Sequence, residues 1–134
     1  MSLKNIGMIV GIILVILGLL GFVGGLGLVG SEGFFMTNTA HDLVHLVTGI
    51  IFVIVALKSM GSMGMVMKIF GVIYLLVAIL GFVMGSPILG FLDTNMMSNV
   101  LHLILGAIFL WGGFMGMSKM GGSSMGSNPM NPMA

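Results

Sequence analysis

Residues 6 to 30 read IGMIVGIILVILGLLGFVGGLGLVG and contain no polar side chain. A bilayer core about 30 Å thick is crossed by about 20 apolar residues in a helix, so this stretch is long enough to span a membrane. A secretory signal peptide is the alternative, because Lys4 precedes the run. The run is longer than a signal sequence needs, and no A-x-A cleavage site follows it. We therefore interpret residues 6–30 as the first transmembrane span.

Three further apolar stretches follow, at about residues 41–57, 66–85 and 97–117. Their apolar residues are continuous rather than alternating, which is typical of helices and not of barrel strands. Hydrocarbon offers no partner to backbone N–H and C=O groups, so each segment must pair these groups internally, as a helix does. The sequence predicts an all-α, polytopic membrane protein with four transmembrane helices in one domain, residues 1–117.

The composition agrees with this class and excludes several functions. Of 134 residues, 58% are hydrophobic and 5% are charged, whereas a soluble domain has about 25% charged residues. The formal net charge of +1 and the lack of a basic patch give no indication of a nucleic-acid partner. Without cysteine there is no disulfide, thiolate nucleophile or Cys-ligated metal. No nucleophile–base pair or phosphate loop is recognisable, so we do not expect an enzyme.

The last segment, residues 118–134, consists mostly of Gly, Ser, Asn, Pro and Met. Such a composition cannot form a core, and we predict a disordered tail. Its methionine thioethers are soft ligands that suit Cu(I). Because the 16 methionines are spread through the whole chain, a general methionine-rich composition explains them better.

The charged residues alternate between the two sides that four spans define. The lysines lie before the first span, between the second and third, and after the fourth, at Lys4, Lys58, Lys68 and Lys119. The acids lie in or near the other two connections, at Glu32, Asp42 and Asp93. The positive-inside rule predicts cytoplasmic N- and C-termini, in the plasma (inner) membrane.

The two halves of the chain resemble each other. Gly21-Phe22-Val23 matches Gly81-Phe82-Val83 at an offset of 60, and the second part of each half matches at an offset of 57. The shared pattern there is T-N-x-x-x-[DN]-x-x-H-L-x-x-G-x-x-F, beginning at Thr37 and at Thr94. Each half enters and leaves on one side, so the sequence predicts two parallel two-helix repeats related by an axis along the membrane normal.

These motifs also carry a family resemblance. The segment from His41 to Gly49 is similar to the H-N-x-x-H-L-x-x-G segment of domain of unknown function 4383, a group of small four-helix bacterial membrane proteins. The segment from Thr94 to Gly106 resembles its N-T-A-D-N-x-x-H-L-x-x-G segment, and residues 71–75 resemble its G-V-x-Y-L stretch. The similarity covers about residues 7–116. Asp42 stands where the family usually has Asn, and Ser98 where it usually has Asp. The resemblance implies the four-helix topology and no activity.

The polar residues of the repeat form the candidate site: His41, Asp42, His45, Asn99 and His102. The favoured interpretation is structural. Thr39 with Asp42 resembles a capping box, and Asn95 is placed to cap the fourth span. His45 and His102 then face the interior near each other and form hydrogen bonds across the bundle. Gly49 and Gly106, one turn beyond each histidine, are predicted to let helices pack closely.

Two functional alternatives for this cluster stay open. Three histidines suit Zn²⁺ or Cu²⁺, with Asp42 as a ligand or acceptor, and His45 with His102 could instead be an axial pair for haem. Histidine also titrates near neutral pH, which suits a proton or pH-sensing site. We predict no cofactor, and the sequence does not decide whether the cluster binds anything.

Three small-x-x-x-small motifs, starting at Gly7, Gly21 and Gly112, are typical of close helix packing. Internal packing is favoured, with a homo-oligomer through the glycine-rich faces as the alternative. The lipid bilayer is the one environment that the sequence clearly requires. We therefore expect a small membrane scaffold or interaction protein, with a metal-, haem- or proton-binding module as the alternative.

Overall fold

A computed structural model of the chain describes residues 1–58 and 60–123. The described chain is built of four long α-helices: α1 (Leu3–Phe22), α2 (Thr39–Lys58), α3 (Met63–Met84) and α4 (Met96–Ser123). Each contains a stretch long and apolar enough to cross a membrane. The predicted all-α, polytopic membrane fold is confirmed.

The first span ends earlier than predicted, at Phe22 rather than at Gly30. Gly24, Leu26 and Gly27 have φ angles of 82°, 53° and 77°, which a right-handed helix does not allow. After a 3₁₀ turn at Gly25–Gly27, β1 (Val29–Gly30) pairs in parallel with β2 (Phe35–Met36). Residues 23–30 are apolar but belong to the connection, because glycine frees the backbone without changing the hydropathy.

The last helix continues further than predicted. We expected the tail to begin at residue 118, whereas α4 runs to Ser123. Residues 124–134 lie outside the described residues, so the disorder predicted for them stays a prediction.

The four helices form two hairpins, a first hairpin of α1 with α2 and a second of α3 with α4. Glycine makes both hairpins tight. A Cβ atom on Gly49 would lie 2.6 Å from the carbonyl oxygen of Gly11, and one on Gly106 would lie 2.9 Å from the backbone nitrogen of Leu75. Both glycines therefore lie where the backbones of two helices come close together.

Large side chains fill the space between the hairpins. Phe52 of α2 lies against Phe109 of α4, with ring centroids 5.1 Å apart, and Tyr74 of α3 meets Phe109 at 5.4 Å. Leu14, Ala56, Met63 and Met67 complete this buried core. The outward helix faces carry exposed Ile, Leu, Val and Phe side chains, as expected of surfaces that contact lipid.

The glycine motifs pack inside the molecule. Gly7 lies against Met63, and Gly112 lies against Met67 and Leu3. Backbone glycine at these places thus makes room for the chain's own side chains. A homo-oligomer stays a prediction, and it would need surfaces other than these.

Candidate functional site at the connection end

The α1–α2 and α3–α4 connections meet at one end of the bundle, which we call the connection end. The side-chain amide of Asn38 donates to the backbone carbonyl of Phe91, with a nitrogen–oxygen distance of 2.9 Å. The amide of Asn95 donates to the backbone carbonyl of Phe34 at 3.0 Å. Each connection thus supplies one donor and one acceptor to the other, so two hydrogen bonds hold the two connections together.

The same two asparagines start the helices that follow them. The Asn38 side-chain oxygen accepts from the backbone N–H of His41 at 3.0 Å, and that of Asn95 accepts from Ser98 at 2.9 Å. Both are N-cap hydrogen bonds. The Asn95 cap is confirmed. The capping box at Thr39 is wrong, because Thr39 is already the first helical residue of α2 and Asn38 caps it.

A second reciprocal pair lies deeper. A ring nitrogen of His41, Nδ1, lies 2.7 Å from the carbonyl oxygen of Asp93, and the Ser98 hydroxyl donates to the carbonyl of Met36 at 2.9 Å. His41 and Ser98 are 57 residues apart, as are Met36 and Asp93. The internal repeat remains our interpretation of these matched contacts.

All three histidines of the chain converge here, and each is buried. His45 and His102 face the bundle interior, as predicted, with ring centroids 5.8 Å apart. His41 is the nearer neighbour of His102: their rings stack at 5.1 Å, and their Nε2 atoms lie 3.3 Å apart. One ligand nitrogen from each ring can be chosen so that all lie within 4.8 Å of one another. We call these three side chains the histidine cluster.

The Asp93 carbonyl determines the tautomer of His41. A carbonyl oxygen only accepts hydrogen bonds, so Nδ1 of His41 carries a proton and donates it. In the neutral ring Nε2 is then unprotonated, and its lone pair points toward His102. Orientation of an imidazole by a backbone carbonyl is the usual outer-shell arrangement of a metal-ligating histidine.

Asp42 and Asn99 occupy matched places beside the cluster. A Cβ atom on Gly21 would collide with the Asp42 carboxylate, and one on Gly81 would collide with the Asn99 amide. The Asn99 side-chain oxygen accepts a hydrogen bond from the Thr94 hydroxyl. Among the described residues, the group able to hold a metal contains the three histidines and not Asp42. The prediction of Asp42 as a metal ligand therefore finds no support.

Two small cavities flank the histidine cluster. One of about 10 Å³ is lined by all three histidines and by Thr37, and one of about 20 Å³ lies toward Tyr74. Each offers space on the scale of a single water molecule. A haem macrocycle is much larger than either cavity, so the bis-histidine haem alternative does not fit.

Several members of the site were not among the predicted site residues. Thr37, Asn38 and Ser98 all contribute buried or hydrogen-bonded groups. A signal for two of them existed, because Thr37-Asn38 matches Thr94-Asn95 in the repeat. Their partners are mostly backbone carbonyls, which no side-chain pattern reveals.

These features define a class: a four-helix integral membrane protein whose buried polar side chains gather at one end, between two glycine-packed hairpins. The family described as "Domain of unknown function (DUF4383)" matches residues 4–115, and the chain belongs to this family. No curated protein and no solved structure matches the chain.

Proposed function

We propose that the chain is a non-enzymatic interaction protein, which binds a transmembrane helix of another protein within the bilayer. The observation that carries this proposal is the closed interior. The two cavities beside the histidine cluster measure about 10 and 20 Å³, too little for an organic substrate, since ligand pockets measure roughly 300–1,000 Å³. A partner would then be bound at the outer surface of the helix bundle.

A larger recess lies outside the helix interior, in the α1–α2 connection. It measures about 390 Å³ and is lined mainly by glycines, together with Ser31 and Glu32. One carboxylate and one hydroxyl beside glycine backbone supply no acid–base pair for catalysis. The recess therefore does not favour an enzyme.

An apolar groove on the first hairpin is the best candidate contact surface. It measures about 260 Å³ and lies between α1 and α2, where Val15 and Val53 form its floor. At the matched places of the second hairpin stand Leu75 and Leu110, each larger than valine by one methylene group. The smaller valines favour a contact surface on the first hairpin. An apolar groove favours an occupant that packs by van der Waals contact, as transmembrane helices do.

We further propose that both termini face the cytoplasm, in the plasma (inner) membrane. Lys4, Lys58 and Lys68 lie at the end opposite the connection end, and the acids Glu32 and Asp93 lie at the connection end. This segregation supports the orientation by the positive-inside rule, in which the lysines carry the weight.

Photocrosslinking in living cells tests the partner helix. A photoreactive amino acid is placed at Ile16, in the groove, and in a matched variant at Leu76, its counterpart on α3. The two side chains are similarly exposed, at 50% and 53%. We expect a protein adduct of defined mass from Ile16 and none from Leu76. Adducts with lipid alone at both sites would overturn the proposal. An adduct of two copies of this chain would also overturn it, because the groove would then bind a second copy and not another protein.

A further inference from the structure

The histidine cluster is built like a site for a divalent transition-metal ion. We propose that His41, His45 and His102 together bind one such ion, with Zn²⁺ the best match, and leave a fourth position open toward Thr37. The ion would join α2 to α4 and so link the two hairpins. This inference is independent of the partner helix proposed above.

The ring nitrogens of the cluster are spaced as the ligands of a tetrahedral Zn²⁺ ion are. Two nitrogens that bind a tetrahedral Zn²⁺ at about 2.05 Å each lie about 3.3 Å apart. The Nε2 atoms of His41 and His102 are 3.3 Å apart, which is long for a hydrogen bond and suited to a shared ion. One nitrogen of each ring can be chosen so that all three lie within 4.8 Å of one another, and a shortening of at most about 1.5 Å brings any pair of them to the spacing of a tetrahedral site.

The polar atoms of the cluster are not all paired within the molecule. Among the described residues, Nδ1 of His45 and the Thr37 hydroxyl are buried without a hydrogen-bond partner. Buried polar atoms are normally paired, so these two point to an occupant. Nδ1 of His102 is unpartnered as well, but that ring would bind the ion through Nε2, so the ion would give Nδ1 no partner. The 10 Å³ cavity lies among the side chains that carry these atoms. Histidine nitrogens bind the ion, and the Thr37 hydroxyl can accept a hydrogen bond from a water on its open position.

The groups around the three histidines also suit a bound metal ion. His41 presents Nε2 as a lone pair because its Nδ1 donates to the Asp93 carbonyl, which fixes the ring for metal binding. The side-chain carboxyl groups of Asp42 and Asp93 lie near His41. Their negative charges, when ionised, would reduce the cost of placing a dication in a medium of low dielectric constant.

The ligand set also selects among metals. Three neutral imidazoles suit Zn²⁺, Cu²⁺ and Ni²⁺ rather than Mg²⁺ or Ca²⁺, which prefer oxygen ligands. Methionine thioethers elsewhere in the chain attract Cu(I) but compete poorly for Zn²⁺. Zn²⁺ is therefore the probe that reports on the histidines alone.

The test uses the full chain in detergent, purified through a tag without histidine and stripped with a chelator. Equilibrium dialysis against Zn²⁺, followed by elemental analysis, measures stoichiometry and affinity. We expect one Zn²⁺ per chain and a melting temperature that rises with Zn²⁺ concentration. Co²⁺ should substitute with the visible absorption of a tetrahedral nitrogen site.

Variants assign the ligands. His41→Gln, His45→Gln and His102→Gln should each lower the Zn²⁺ affinity by more than about 10-fold, the least that loss of even an outer-shell partner costs. Glu32→Gln changes an exposed acid at the same end of the molecule and leaves the buried site intact, so this variant should bind Zn²⁺ as the wild type does. Circular dichroism establishes that each variant is folded. A wild type that takes up no Zn²⁺, Cu²⁺ or Ni²⁺, or uptake that survives all three histidine substitutions, would overturn the site.

Discussion

The side-chain amide of Asn38 donates a hydrogen bond to the backbone carbonyl of Phe91, a residue of the other hairpin. Asn95 makes the return bond to Phe34, so two side chains hold the connections together. Asn38→Asp keeps the oxygen that caps α2 but removes the donor. We expect a loss of about 0.5–1.5 kcal/mol in the free energy of unfolding, measured by denaturation in detergent. Asn5→Asp, at an exposed place in α1, is the control and should change little.

The helix crossing of the first hairpin tolerates no side chain beyond glycine. In Gly49→Ala the new Cβ would meet the Gly11 carbonyl oxygen and the Val15 backbone nitrogen at 2.6 and 2.7 Å. We expect a loss of about 1–3 kcal/mol, the usual cost of overpacking, seen as a lower melting temperature. Gly61→Ala is the matched control, since nothing lies within 4 Å of its added Cβ. Equal stability of the two variants would contradict this account of the crossing.

Asp42 is buried, and its Oδ1 has no hydrogen-bond partner among the described residues. Asp42→Asn keeps the shape of the side chain but loses the attraction of a carboxylate to the N-terminus of α2. This attraction is worth about 0.3–1 kcal/mol, so we expect the free energy of unfolding to change by less than about 1 kcal/mol. Glu32→Gln, at an exposed acid of the same end, serves as the control. A much larger loss from Asp42→Asn would show that its charge has a partner.

His102 is expected to need a polar side chain even without metal. His102→Gln keeps a donor and an acceptor, whereas His102→Leu leaves the Nε2 atom of His41 facing hydrocarbon. In the presence of a chelator, the Gln variant should be more stable than the Leu variant by about 0.6–2 kcal/mol, the range for hydrogen bonds within membranes. Thermal denaturation in detergent decides this, and equal stabilities would argue against hydrogen bonding in the cluster.

The proposed orientation can be tested without background labelling, because the chain has no cysteine. Ser31→Cys places a thiol in the exposed α1–α2 connection, and Ser2→Cys places one at the N-terminus. With intact cells and a membrane-impermeant maleimide, we expect labelling of the first and not of the second. After lysis both should react. Labelling of Ser2→Cys from outside would reverse the orientation.

Sequence patterns predicted the four helices because a continuous apolar run in lipid has few alternatives to a helix. They misplaced the end of α1, since Gly24 and Gly27 bend the backbone while remaining apolar. Hydropathy measures transfer into lipid and says nothing about backbone dihedral angles.

The candidate site was predictable to a similar extent. Matched positions in the two halves singled out His45 and His102, which the structure places together. The closer contact between His41 and His102 was not predicted, because it depends on how the hairpins are rotated against each other. That rotation depends on how bulky core side chains such as Phe52 and Phe109 pack between the hairpins. The repeat marks both phenylalanines, but it does not give the angle at which their rings meet.

The crossed hydrogen bonds at the connection end impose an order on biosynthesis. Asn38 and His41 leave the ribosome long before Phe91 and Asp93, the residues whose carbonyls they need. The first hairpin can close on its own glycines while its loop still lacks the partners that the second connection supplies. Only when the last third of the chain arrives does the earliest loop acquire its final shape, so the polar end of the molecule is finished last.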